Sequence, residues 1–360
     1  MAPPLAAAYS GPPKLTFATA LTQWRIDVPM LVLILLLAAW YVASARKVRK
    51  NGGHWGAGRT FAFIVVGLGF WVIATMAWPG AYESVLFYAR ATQTVLLIIL
   101  VPMFLAMGKP LTLLIEASPR VGRPVEKAVR SRVAKVVMFP AVTTVVVVAV
   151  PMVMYFTSWY TAVFASGTVR NLTYLILIAP GYLFFWTLLN VDPVPREYPH
   201  GIGLWIATGE VIGDAFFGLA VIADQTVLAA AHYHAVGYPY GPDLATSQVI
   251  GGGIIWILGD IVGLPFIGVQ LVQMMRADKR EAAEIDAELD ARDAARAAAR
   301  AARDRQTDDA AVTGGSQVPA GSDTALSAVS QAAPETDDAD NDERPWWETD
   351  PRLTDRFKRA

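Results

Sequence analysis

The sequence predicts an all-α fold: a polytopic membrane protein, built as a seven-transmembrane-helix bundle with the N-terminus outside and the C-terminus cytoplasmic. Three observations carry that prediction. Hydrophobic residues make up 54% of the 360 and charged residues only 17%, and the mean hydropathy is +0.39. Apolar runs near the ~20 residues needed to span about 30 Å of hydrocarbon recur along the chain up to about Met275. Lysine and arginine gather in alternate connections between those runs, which places the basic loops in the cytoplasm.

Residues 1–27 form an extracytoplasmic N-terminal segment. It lacks a basic stretch followed by an apolar one, so no cleaved signal peptide is expected. The spans are expected at 28–45, 61–78, 85–107, 136–157, 172–189, 204–222 and 248–274, inside a membrane domain of 28–276. Arg46, Lys47, Arg49, Lys50 and Arg59 follow the first span. A second basic stretch, Arg120 to Lys135, follows the third. It reads as a topology signal that touches anionic lipid, and no nucleic acid is expected as a partner. Residues 277–306 alternate alanine with opposite charges and predict a solvated cytoplasmic helix. Residues 307–360 have few large apolar side chains and predict a disordered tail. Within it the PWW motif places Trp346 and Trp347 as a candidate partner-docking peptide or as a patch on the headgroups.

The last span carries the densest pattern. Helical spacing puts Gln248, Gly252, Trp256 and Asp260 in one row and Gly251, Gly259 and Gly263 in the next, with Gly253 between turns. Glycines four apart let a neighbouring backbone approach closely, so this helix is expected inside the bundle as a packing seam. Asp260 then faces protein rather than acyl chains. Glu210 and Asp214 share one face of the sixth span, and Arg90 lies in the third. Charges at membrane depth must converge or be hydrated. Arg90, Glu210, Asp214 and Asp260 therefore form an expected buried charge cluster, read either as an ion relay or as a structural pair between Arg90 and Asp214.

Beyond these patterns the chain resembles the CtaG-type membrane family of cytochrome c oxidase assembly factors. The residues that carry the resemblance are Trp24, Asp27, Tyr41, Gly53, Trp55, Gly58, Arg59 and Pro102, then the turn of Gly108, Pro110 and Leu111. GYLFFW at 181–186, Asp192, Pro193, AFFG at 215–218 and the GGGIIWILGD stretch complete them. The resemblance implies an inner-membrane protein that acts with cytochrome c oxidase subunits in copper supply or maturation. It also places family histidines at the positions held here by Arg90, Thr94, Tyr174, Ile176 and Asp214. None of the five offers an imidazole or a soft donor, so the core copper role is not expected to transfer.

Without cysteine, copper would need histidine, methionine or carboxylate ligands. His232 and His234, expected in an outer loop, form the candidate metal pair. The methionines Met103, Met107, Met138, Met152 and Met154 read as packing. No phosphate loop or nucleophile with its base is present, so an enzyme is not expected. The reading is a non-catalytic oxidase assembly factor in the cell membrane, with copper its only candidate cofactor. Its rivals are an ion-coupled transporter using Glu210, Asp214 and Asp260, and a metal-free scaffold of the respiratory complex.

Overall fold

The computed structural model describes residues 9–189, 192–193 and 200–314. Every element among them is a helix. They are α1 (Phe17–Thr22), α2 (Val28–Lys50), α3 (Ala57–Tyr82), α4 (87–107), α5 (Pro110–Ala117), α6 (Pro119–Val129), α7 (Arg132–Val137), α8 (Pro140–Tyr155), α9 (Ser158–Ala165), α10 (Gly167–Leu189), α11 (His200–Ala223), α12 (Ala230–Val236) and α13 (Leu244–Gly314). Six helices are long and apolar enough to cross a membrane. The pair α8 and α9, bent by 69°, makes a seventh if it counts as one span. The chain divides into two units, Met1–Glu284 and Ile285–Ala360.

The first unit holds the bundle. Its outward surface keeps large apolar side chains in the open: Val28, Val32, Leu35 and Leu36 on α2 are 49–63% exposed, as suits a helix facing lipid. The opposite face of α2 buries Met30, Ile34, Tyr41, Ala45 and Val48 at helical spacing. Asp27 starts this helix by accepting from the Met30 amide at 3.2 Å, and Pro29 stands in its first turn. Lys47, Arg49 and Lys50 lie in its last turn, where the exposed carbonyls favour cations.

Two spans contain π-helical turns, Phe61–Leu68 in α3 and Leu96–Leu100 in α4. The second has a local cause. Pro102 has no amide to give to the Ile98 carbonyl four residues back, and α10 crosses at that spot. A Cβ on Gly181 would collide with the Ile98 carbonyl, so only glycine permits this approach. The expected fourth span, 136–157, begins instead at Pro140 and turns after Tyr155, with Thr157 capping α9 through the Trp159 amide at 3.3 Å.

The second unit is described through Gly314, all of it the continuation of α13. The helix runs past the expected boundary at Gln306. Its surface charges pair at helical spacing, as Arg292 does with Glu288 at 2.7 Å. Trp346 and Trp347 lie outside the described residues.

Candidate functional site

At the end of the bundle where α2 and α10 begin, charged side chains meet in a network. Glu83, in the turn between α3 and α4, is its centre and is 2% exposed. Arg90, fully buried one turn into α4, donates through Nη1 to Glu83 Oε2 at 2.8 Å and to Gln93 Oε1 at 2.8 Å. Tyr174 of α10 donates its hydroxyl to Glu83 Oε2 at 2.7 Å and lies beneath the Arg90 guanidinium, 5.9 Å from ring centre to Cζ. Arg25 Nη2 reaches Glu83 Oε1 at 2.5 Å. Arg170 bridges outward, 3.2 Å from Asp27 Oδ2 and 3.6 Å from Glu83 Oε1. Gln93 closes the inner side by donating to the Ala74 carbonyl at 3.0 Å. Burial pushes the Glu83 carboxyl up, but the Arg90 and Arg25 guanidiniums outweigh it and hold it below the usual carboxylate range.

This arrangement corrects the expected pairing of Arg90 with Asp214. Arg90 is committed to Glu83, and no ion pair among the described residues involves Asp214. Asp214 instead lies beside Glu210 on α11, within hydrogen-bonding reach, with Asp260 of α13 in electrostatic range of both. Asp260 Oδ1 is buried with no hydrogen-bond partner among the described residues. The four charged residues thus form two sites. The acid site sits against the glycine seam: a Cβ on Gly259 would stand 2.5 Å from Asp214 Oδ2, and one on Gly263 would stand 3.5 Å from Glu210 Oε2. Further along, Gly252 faces the Gly218 carbonyl of α11 and Gly251 packs on Phe87 of α4, while Gly253 has nothing within 4 Å.

The histidine pair does not converge. His232 and His234 lie on helix α12 rather than in a loop, and residues two apart on a helix point to nearly opposite sides. His232 stacks on Phe164, 4.0 Å between ring centres, with Nε2 2.9 Å from the Ser84 carbonyl, whereas His234 is exposed. Among the described residues no group of three or more His, Asp or Glu is placed to hold a metal ion. Of the positions at which the resemblance places family histidines, Arg90 and Tyr174 meet in the Glu83 network. Thr94 lies one turn further on, bonded to the Arg90 carbonyl and to Tyr155 at 3.1 Å. Ile176 is 43% exposed and Asp214 is in the acid site. A copper ion does not fit at Arg90 and Tyr174, because the buried Arg90 guanidinium is a cation, the Tyr174 hydroxyl is bonded to Glu83, and the Met154 sulfur lies 3.8 Å from Arg90 Nη2.

The opposite end of the bundle joins several residues that carry the resemblance. Tyr41 donates to the Gly108 carbonyl at 2.6 Å and accepts from Trp55 Nε1 at 3.3 Å, and Arg59 covers the Trp55 ring. Asp192 caps α5, accepting from the Leu111 amide at 3.2 Å, the Thr112 amide at 2.9 Å and the Thr112 hydroxyl at 2.5 Å. Burial raises the Asp192 carboxyl, and these hydrogen bonds offset the rise in part.

Sequence reasoning missed Glu83, Arg25 and Arg170 as partners. A signal existed for Glu83, which stands two turns before Arg90 at the mouth of the same expected span. Arg25 and Arg170 are distant in sequence and meet it only through folding.

A multi-span helical bundle, charged at one end and aromatic at the other, defines an integral membrane protein. The chain belongs to the cytochrome c oxidase caa3 assembly factor family (Caa3_CtaG), whose profile matches residues 39–277. It is similar to uncharacterized proteins of Mycobacterium bovis and Mycobacterium tuberculosis, each 30% identical over 288 residues that cover 77% of this chain and 43% of the relative. A Mycobacterium leprae protein is 25% identical over 273 residues, covering 74% and 41% respectively. The chain therefore spans less than half the length of these relatives. No solved structure matches it.

Proposed function

We propose that this chain is a non-catalytic factor of cytochrome c oxidase assembly in the cell membrane that acts on oxidase subunits without a copper ion in its helical core. Family membership supports the assembly role. The observation that carries the copper-free core is the Arg90, Glu83 and Tyr174 network, which fills positions that the resemblance assigns to histidine with a closed ion pair. The basic end, with Arg46 to Lys50 and α6, then faces the cytoplasm by the charge rule. The sequence motif with Trp346 and Trp347 is the proposed docking peptide for an oxidase subunit.

The test is deletion in the native host, with assembled oxidase read from reduced-minus-oxidised spectra of membranes. Loss of the oxidase bands, restored by the intact chain, is expected; unchanged bands would overturn the assembly role. Metal analysis of purified protein addresses the core. Stoichiometric copper that persists after His232→Ala and His234→Ala would show that the core binds it.

A second reading rests on the unpartnered Asp260 oxygen beside Glu210 and Asp214. Those carboxyls supply the groups an ion-coupled transporter needs at membrane depth. Proteoliposomes that pass no ion current, with or without Glu210→Gln, would remove it.

A further inference from the structure

A cavity of about 580 Å³ opens between the first turns of α2 and α10. Its polar lining includes Arg25, Asp27, Thr168, Arg170 and Asn171. Arg25 and Arg170 are 32% and 28% exposed, so their heads are open to the cavity while Arg90 lies sealed behind them. The network that these residues belong to is not neutral: among the described residues Arg25, Arg90 and Arg170 pair with Asp27 and Glu83, which leaves one positive charge over. Its donors are not used up either. Nη2 of Arg25 and of Arg170 is taken by Glu83 and Asp27 respectively, whereas Nη1 of each makes no hydrogen bond among the described residues.

Two more observations say what would fill the space. The N-termini of two 23-residue helices, at Val28 and Gly167, both border the cavity and turn the positive ends of their dipoles toward it, although Asp27 caps the Met30 amide of the first and Ser166 the Val169 amide of the second. The rim is apolar and exposed, with Ile26 70%, Val28 62% and Leu172 53% open. That rim continues into the lipid-facing side of α2, where Val32 and Leu36 are also exposed. A soluble anion would gain nothing from it. A headgroup held by arginine, with acyl chains lying on an apolar helix face, uses both parts.

We propose that this cavity binds the phosphate headgroup of an anionic phospholipid. The guanidiniums of Arg25 and Arg170 supply charge, and the Thr168 hydroxyl supplies a hydrogen bond. The bound lipid neutralises the leftover charge and ties the start of α2 to the start of α10.

The test uses the full chain in detergent, with thermal melting followed during addition of phosphatidylglycerol, phosphatidylcholine or inorganic phosphate. Phosphatidylglycerol is expected to raise the melting temperature in a saturable way, and the other two are not. Arg170→Gln should weaken the effect, but it also removes a structural ion pair. Thr168→Glu is the cleaner variant: Thr168 is exposed and in the first turn of α10, where a carboxylate is compatible with the helix. It should give a lipid-free melting temperature no lower than that of the natural chain and weaken phosphatidylglycerol binding roughly fivefold, the effect of one charge near a membrane surface. An equal shift with phosphatidylcholine, or one that Thr168→Glu leaves intact, would overturn the proposal. An equal shift with inorganic phosphate would overturn it as well, by showing a site for the free anion.

Discussion

The two buried acid sites of this bundle are satisfied in opposite ways. Glu83 is surrounded by Arg90, Arg25, Arg170 and Tyr174, so its charge is matched and its oxygens are bonded. Glu210, Asp214 and Asp260 lie in range of one another beside the glycines of α13, with no cation paired to them among the described residues. The difference teaches that a buried base is not shared among all acids within a bundle. It is taken by the acid that its own local turn brings nearest, and whatever acids remain must settle among themselves.

The sharpest way to break this comparison is to remove one partner of the matched site. Glu83→Leu should cost ~3–5 kcal/mol, because Arg90 is left as an uncompensated buried charge, and Arg90→Leu should cost somewhat less, because Arg25 stays on Glu83. The double substitution should recover part of that loss in a thermal melt of the solubilised protein. Pairing Arg90→Leu with Asp214→Leu should recover nothing. A recovery there equal to that of the Glu83 double would show that the two sites are electrostatically one.

The acid site depends on close packing of α11 against α13, so its test is steric. A Cβ on Gly218 would meet the Gly252 carbonyl at 2.7 Å and Trp256 Cβ at 2.8 Å. Gly218→Ala should therefore cost about 1–3 kcal/mol as overpacking. Gly253→Ala, with nothing within 4 Å, should stabilise by up to ~1 kcal/mol through helix propensity alone. Equal effects from the two would mean that the helices do not meet at this seam.

Asp192 gives a third mode, a carboxylate satisfied by a helix N-terminus instead of by a cation. Asp192→Ala should cost about 0.5–2 kcal/mol, the usual loss for a cap and less than for either partner of the Glu83 pair. A loss as large as that of Glu83→Leu would show that capping and ion pairing are not distinct in this bundle.

The smallest effect separates the matched carboxyl by pH. The folded-state pKa of Glu83 is lowered by its arginines, so its stabilisation is fully present above the unfolded value of ~4.3 and is lost as pH falls through the lower folded value. The difference in melting temperature between the natural chain and Glu83→Gln should stay constant at neutral pH and shrink only on the acid side of that range. A difference that changes between pH 6 and 8 would place the titrating group elsewhere.

Much of this architecture was already written in local sequence. Apolar length and charge segregation depend on neighbouring residues only, and they gave the membrane class and positions close to most of the helices. Helical spacing alone puts the glycines at 251, 252, 259 and 263 in adjoining rows, but which helices stand against them is a matter of the fold. Three features needed the folded chain. His232 and His234 read as a chelating pair until α12 turned them apart. The span that ends at Tyr155 bends into α9 where a straight helix was expected. Above all, the partner of Arg90 was set by a turn at residues 83–86 and by Arg25 and Arg170 arriving from other helices. Hydrophobic periodicity says which residues enter the membrane. It carries no information about which helix ends will meet, and charge pairing is decided where they do.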